Sequence, residues 1–122
     1  MMKVVIADDS MTIRSITRDY FEKMGVPKQN IYEASNGKTA LELVINEKPD
    51  ILLLDMVMPE MAGMEVLEEL NRRSVPTVVG VVSSFGTKYY VEKAKSLGVQ
   101  FFIDKPLIYE KLVDELKKAG IL

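Results

Sequence analysis

The sequence predicts an α/β domain in which helices cover both faces of a parallel sheet. A short apolar run followed by residues at helical spacing occurs five times along the 122 residues, and this alternation is typical of parallel sheets with right-handed crossovers. The third run, Ile51–Leu54, is four apolar residues in an unbroken row, which indicates a strand buried on both faces. No linker or repeat interrupts the pattern, so we expect one domain over residues 1–122.

The predicted strands are short and end at polar or turn-forming residues. Pro76 introduces the fourth of them, and two serines close it. In chain order the predicted strands are Val4–Ala7, Ile31–Ala34, Ile51–Leu54, Thr77–Val82 and Val99–Ile103.

A predicted helix follows each strand. The first begins at Ser10, a favourable N-cap, and ends at Gly25. Its apolar residues, spaced three or four apart, predict a buried face of Ile13, Ile16, Tyr20 and Met24. The same spacing predicts the later helices from Leu41, Val44 and Ile45; from Val66, Leu67 and Leu70; from Tyr90, Val91, Ala94 and Leu97; and from Leu112, Val113 and Leu116.

The composition excludes several kinds of chemistry. The chain has no cysteine and no histidine, which excludes disulfides, histidine-dependent triads and the common zinc sites. A net charge of −2 gives no electrostatic reason to expect nucleic acid or an anionic membrane as the main partner. No apolar run is long enough to cross a bilayer, and the first residues do not resemble a secretory signal, so we expect a cytoplasmic protein.

Polar residues stand just past four of the predicted strands: Asp8 and Asp9, Asp55, Ser83, and Lys105. Parallel strands all end at one edge of their sheet, where ligands bind. If the strand order is 2-1-3-4-5, the three carboxylates converge there. Each residue taken alone has an ordinary alternative, namely a pair of solvated helix-capping acids, a loop hydroxyl or a surface lysine. Their shared position at strand ends favours a site.

Three neighbouring carboxylates favour a bound cation. Two carboxylates about 4 Å apart repel by roughly 4 kcal/mol at an effective dielectric constant of about 20. Oxygen ligands without nitrogen or sulfur suit Mg²⁺, which often bridges carboxylates to a phosphate. Lys105 and Ser83 suit a phosphoryl group bound beside the metal, and an aspartate can be its nucleophile. These residues predict a phosphoryl-transfer site with Asp55 as acceptor.

Four short segments at these strand ends match a known set of motifs in the correct order. They are ADDS at residues 7–10, LLLDMVMPEMAG at 52–63, VVSS at 81–84 and DKP at 104–106. Together they resemble the receiver domain of two-component response regulators, above all the small CheY-like regulators of chemotaxis. The resemblance implies one receiver domain over residues 1–122. It also implies a flavodoxin-like (βα)5 three-layer sandwich whose parallel five-stranded sheet has the order 2-1-3-4-5.

The resemblance implies specific roles around the acceptor. Asp55 would take a phosphoryl group from a partner histidine kinase, with Mg²⁺ as cofactor. Asp9 and Asp55 would bind the metal directly and Asp8 mainly through water, while the backbone carbonyl of Val57 would be a further ligand.

Further roles fall on the fourth and fifth strands. Ser83 and Lys105 would bind phosphoryl oxygens, and Pro106 would follow a cis peptide bond. Phe102 would be the aromatic switch residue that moves inward with Ser83, although a core aromatic with no switching role is the alternative. Val57 and Phe85 would flank the path of the hydrolytic water, and because both are apolar we predict slow loss of the phosphoryl group.

We therefore expect a signalling switch that is not an enzyme beyond its own phosphorylation and dephosphorylation. Its protein target would bind the face formed by the fourth helix, fifth strand and fifth helix. The chain would be a monomer or a weak phosphorylation-dependent dimer.

The opening ADDSMTIRSI favours a role in chemotaxis. The chain would be either a single-domain regulator or a piece of a longer one.

Two alternatives stay open. The first is a receiver-like module that binds partners without phosphorylation, against which the full set of site residues argues. The second is an aspartyl-phosphate phosphatase of the haloacid-dehalogenase kind. That class needs an acid two residues after the nucleophile, where this chain has Val57.

Overall fold

The structure is a computed structural model that describes residues 2–84 and 86–122. Five strands alternate with five helices, and a short 3₁₀ turn, Lys28–Asn30, precedes the second strand. The elements are β1 (Val4–Ala7), α1 (Met11–Lys23), β2 (Ile31–Ala34), α2 (Gly37–Glu47), β3 (Ile51–Leu54), α3 (Gly63–Arg72), β4 (Val78–Ser83), α4 (Lys88–Ser96), β5 (Phe101–Asp104) and α5 (Tyr109–Lys118).

The sheet is parallel throughout and has the order β2-β1-β3-β4-β5, which confirms the predicted fold class. In its register Ala7 pairs with Leu54, and Leu54 pairs with Val81. The Asp55 N–H also donates to the Ala7 carbonyl at 2.9 Å. The acids that follow β1 and β3 therefore lie side by side.

The core lies on both faces of the sheet. Every residue of β1 and β3 is buried, as expected for central strands covered by helices on both sides. Alternate residues face opposite layers: Val5 and Leu52 pack with α2 and α3, while Val4 and Ile51 pack with Phe21 of α1 and with α5.

The buried face of α1 differs from the prediction. Ser10 caps the helix, since its side chain accepts from the Ile13 N–H. Ile16, however, is 44% exposed, and Thr17 and Phe21 are the buried residues. Thr17 tolerates burial because its hydroxyl donates to the Ile13 carbonyl at 2.8 Å. The residues at i, i+3 and i+4 alone did not show which side of the apolar stripe meets the sheet.

The last two strands begin and end later than predicted. β4 runs to Ser83 and β5 runs from Phe101 to Asp104. Val99 is buried without belonging to β5, since it follows the end of α4. Consequently Ser83 pairs with Asp104 inside the sheet, and Lys105 is the first residue past β5.

No helix in the described part of the chain combines the length and apolar character needed to span a membrane.

Candidate functional site

Three carboxylates meet at the carboxyl edge of the sheet. One oxygen of each of Asp8, Asp9 and Asp55 lies within 4.8 Å of the others. Asp8 is 4% and Asp55 6% exposed, whereas Asp9 is open to solvent. The backbone register that places β1 beside β3 is the cause of this convergence, which the sequence predicted.

Lys105 joins the two buried acids. Its Nζ lies 2.7 Å from Asp8 Oδ2 and 3.0 Å from Asp55 Oδ2. Burial would lower the pKa of the Lys105 ammonium, but its hydrogen bonds to both carboxylates raise that pKa overall. Burial, aided by repulsion from Asp55, raises the pKa of Asp8 above its ordinary value despite the contact with Lys105. The ammonium thus neutralises only part of the acidic cluster.

The Asp8 residue is held at every polar position. Its N–H donates to the Ala34 carbonyl at 3.0 Å, and its Oδ1 accepts from the Ser10 N–H at 2.9 Å. Its own carbonyl accepts from Arg14 Nη1 at 2.8 Å. The segment that carries Asp8 into Asp9 is therefore fixed by β2 and by the first turns of α1.

The loop after Asp55 is tight. The Val57 N–H donates to Asp55 Oδ1 at 3.3 Å, and the Gly63 N–H donates to the Met56 carbonyl at 3.0 Å. A Cβ at Gly63 would overlap the Asp55 carbonyl. The Val57 side chain is exposed to solvent, at 58%.

A glycine from another element also closes on this loop. Gly37, the first residue of α2, lies so near Met61 that a Cβ on it would overlap the Met61 carbonyl. Glu60 in the same loop has a φ of +67°, a conformation that a residue with a side chain adopts at some cost. The loop of residues 56–62, named the acceptor loop after the predicted role of Asp55, is therefore shaped by backbone contacts and not by its own side chains alone.

The other predicted residues belong to β4, to β5 and to the segments that follow these strands. Ser83 is 1% exposed at the end of β4. Phe102 is half-buried and pairs with Val81 of β4, and the Lys105–Pro106 peptide bond is cis. Phe85 lies outside the described residues, so its role beside Val57 stays a prediction.

Sequence reasoning missed a charged network beside the cluster. Glu33 of β2 accepts from Arg14 Nε at 3.0 Å and from Arg18 Nε at 2.8 Å. The signal that could have shown it is the spacing of the two arginines, four apart on one helix, and so on one side of α1. Nothing in the sequence placed their partner on β2.

The donor set fits Mg²⁺. The candidate ligands are carboxylate oxygens with a backbone carbonyl nearby, which is the chemistry that Mg²⁺ prefers. One exposed and two buried acids beside a single ammonium keep excess negative charge in the site, and a divalent cation would balance it. Asp8, Asp9 and Asp55 are the side chains that would hold such an ion.

Comparison with known proteins gives a consistent result. Residues 4–117 match the family described as response regulator receiver domain. The sporulation initiation phosphotransferase F of Bacillus subtilis is 32% identical over 95% of this chain and 91% of that protein. A chemotaxis protein CheY of Thermotoga maritima is 33% identical over 97% of both chains.

Solved structures show the same architecture. The receiver domain of the response regulator NarL from Mycobacterium tuberculosis superposes with a TM-score of 0.85 at 26% identity, covering 98% of this chain and 95% of that one. A DNA-binding response regulator of the LuxR family from Staphylococcus aureus gives a TM-score of 0.86 at 27% identity, over 98% and 99%.

Proposed function

Because this chain belongs to the receiver domain family of two-component response regulators, we propose that it is a phosphorylation-activated switch with Asp55 as the acceptor. The observation that carries the proposal is the position of Asp55. It is buried at the sheet edge, within hydrogen-bond distance of Lys105 and beside Asp8 and Asp9. A histidine kinase would supply the phosphoryl group, which the receiver domain family supports.

The proposed reaction is a displacement at phosphorus. A carboxylate oxygen of Asp55 attacks the phosphorus atom of a phosphohistidine, and an O–P bond forms while the N–P bond breaks. The imidazole leaves with the electron pair and takes a proton, and Asp55 becomes an acyl phosphate. The Lys105 ammonium, now on Asp55 Oδ2, would bind a phosphoryl oxygen in the product.

Mg²⁺ would be held by Asp9, Asp55 and the Val57 carbonyl, with Asp8 acting mainly through water. Its charge would offset the negative charge that builds up on the phosphoryl oxygens. The Asp9 carboxylate is open to solvent, which supports direct binding by Asp9.

The output would be a change at β4, α4 and β5. Phosphoryl charge would draw the Ser83 hydroxyl toward Asp55, and Phe102 would turn inward. A protein target would read the α4-β5-α5 face. Phe102 is half-buried and therefore has room to change its exposure. In this proposal the chain catalyses only its own phosphorylation and dephosphorylation.

The lifetime of the phosphoryl group would be long. Val57 is an exposed apolar residue two positions after Asp55, where a polar side chain could instead position water. Replacing Val57 with Asn and Phe85 with Glu should together shorten the lifetime, measured by the decay of the phosphorylated mass. An unchanged lifetime would contradict this part of the proposal.

For the pathway, we propose chemotaxis within the cytoplasm, supported by the ADDSMTIRSI opening and by the CheY relatives. The relative named as a sporulation phosphotransferase supports a second candidate, in which the phosphoryl group passes to another protein.

Mixing the phosphorylated chain with histidine-containing phosphotransfer proteins separates the two candidate pathways. Rapid transfer favours a relay, and retention of the phosphoryl group with tighter binding of a protein target favours chemotaxis.

The central test is phosphorylation by a small acyl phosphate in the presence of Mg²⁺, followed by intact mass. The wild-type chain should gain one phosphoryl group, and Asp55→Asn should gain none. Asp19→Asn, an exposed position on α1, is the matched control and should behave as wild type. No gain in the wild type would favour the phosphorylation-independent module, and continuous phosphate release would favour a phosphatase.

A further inference from the structure

We infer that Arg14 is a positioning residue for the metal site, holding the peptide unit between Asp8 and Asp9 in the orientation that presents Asp9 to Mg²⁺. This inference rests on the proposed function, because it concerns how the same site binds its metal. It starts from the hydrogen bond of 2.8 Å that Arg14 Nη1 donates to the Asp8 carbonyl. That carbonyl belongs to the peptide group that leads directly into Asp9.

The orientation of this peptide group matters for Asp9 more than for Asp8. The Asp8 side chain is fixed separately by Ser10 and Lys105. Asp9 is exposed, so the direction of its carboxylate depends on the backbone that carries it. A guanidinium on the preceding carbonyl restricts that backbone before a metal arrives, which reduces the ordering cost of binding.

The guanidinium itself is held in place. Arg14 Nε donates to Glu33 Oε1 at 3.0 Å, and the side chain is only 15% exposed. The other Glu33 oxygen accepts from Arg18 Nε at 2.8 Å, and Arg18 Nη2 donates to the Ile31 carbonyl at 2.9 Å. The network therefore runs from β2 through Glu33 to the metal-binding segment, and Arg14 is its last member.

Lysine cannot replace Arg14 in this arrangement. The planar guanidinium donates from separate nitrogens to Asp8 and Glu33 at the same time, whereas a lysine ammonium is a compact donor on a flexible stem. Arg14→Lys therefore keeps the charge and removes the fork. This variant therefore separates the effect of positioning on Mg²⁺ binding from the effect of charge.

Electrostatics alone predicts an effect of the opposite sign. Removing a positive charge beside an acidic cluster should strengthen the binding of a cation. Positioning predicts that Arg14→Gln weakens Mg²⁺ binding although the site becomes more negative. Arg18→Gln is the matched control, since Arg18 shares the same Glu33 partner and carries the same charge but does not contact Asp8.

The test is Mg²⁺ titration of the full chain by calorimetry, with Tm recorded for each variant. Arg14→Lys and Arg14→Gln should raise the Mg²⁺ Kd about tenfold, within the range seen when groups that orient a metal ligand are removed. Arg18→Gln should lower Tm by about as much as Arg14→Gln does. It should leave the Mg²⁺ Kd within about a factor of two of the wild-type value. The amide signal of Asp9 in NMR spectra should shift in the Arg14 variants without metal.

Two results would overturn the inference. One is Mg²⁺ binding in the Arg14 variants that equals or exceeds that of wild type, and the other is equal weakening by Arg18→Gln. A wild-type chain that binds no Mg²⁺ would instead remove the proposed function on which the inference rests. The wild-type titration therefore distinguishes the two failures.

Discussion

The helix that follows Asp55 and the helix that follows Ser83 are attached to the sheet to very different degrees. α3 buries four of its ten residues, whereas α4 buries only Ala94 among its nine. Tyr89, in the first turn of α4, is 64% exposed. Because burial of apolar surface is the main force that attaches a helix to a sheet, α3 should be held far more firmly than α4.

The difference suggests which part of the site stays fixed and which part changes conformation. The acid half, formed by β1, β3 and the segments after them, is fixed by backbone register and by Arg14. The other half of the site carries the Ser83 hydroxyl at the end of β4, and the helix that follows it, α4, has little buried surface. Regions that change conformation come from the least stable parts of a fold, so α4 is the place where we expect a response to Asp55 phosphorylation.

The largest effect should come from truncating the core under α3. Leu67 is 2% exposed, and Leu67→Ala should lower the free energy of unfolding by about 3 kcal/mol through lost burial and a cavity. Val91→Ala on α4, at a half-buried position, should cost less than about 1 kcal/mol. Urea denaturation measures both. Equal losses would remove the contrast between the two helices.

A smaller effect is expected from Lys105→Met, which tests the balance of charge around the buried acids Asp8 and Asp55. The change leaves Asp8 and Asp55 buried without their shared ammonium, and we expect a loss of about 2 kcal/mol without metal, as for a hydrogen bond to a charged group. Mg²⁺ should raise Tm more in this variant than in wild type, because the ion restores the missing positive charge. Lys111→Met, at an exposed position on α5, is the control; an equal response to Mg²⁺ in the two variants would contradict the prediction.

Glu33→Gln should have a moderate, pH-dependent effect. Burial would raise the pKa of Glu33, but hydrogen bonds from Arg18 and Arg14 lower that pKa below its ordinary value of 4.5. Ionised Glu33 therefore stabilises the fold above about pH 4.5, and this contribution is lost as the pH falls through the lower folded-state pKa. The variant should be about 1 kcal/mol less stable at neutral pH.

The measurement for Glu33 is denaturant unfolding at several pH values. The difference between Glu33→Gln and wild type should shrink in acid, whereas Glu42→Gln, exposed on α2, should show no such trend. A constant difference across the pH range would mean that the ionised pair is not its source.

The smallest effect should come from Asp9→Asn without metal. Asp9 adds negative charge to a cluster that already holds Asp8 and Asp55, so its neutralisation should raise Tm by about 2 °C. With excess Mg²⁺ the order should reverse, because the variant lacks a ligand. A clear fall in Tm in the metal-free chain would show that the three acids do not repel one another.

The first three strands were predictable from the sequence to the residue. β1 and β3 are buried on both faces, which leaves unbroken apolar runs with sharp ends. The cluster of Asp8, Asp9 and Asp55 followed from the same fact, because parallel strands that end together bring the next residues together. The sequence therefore predicted which side chains share the sheet edge.

The features that the sequence did not predict depend on contacts between helices and strands. Arg14 and Glu33 lie 19 residues apart in the chain, and their pairing depends on how α1 crosses β2. The exposure of Ile16 has the same origin, since the angle of α1 on the sheet decides which side of the helix is covered. The start of β5 was missed because Val99 is apolar and buried yet lies outside a strand, and β4 begins at Val78, one residue after the predicted Thr77.

The contact between Gly37 and Met61 joins two segments that are distant in the chain. With no room for a Cβ at Gly37, the start of α2 and the acceptor loop touch backbone to backbone, and neither can shift alone. Variation at the start of α2 should therefore be inherited together with variation in the acceptor loop. A graft of the acceptor loop from another protein would have to bring the matching α2 terminus with it.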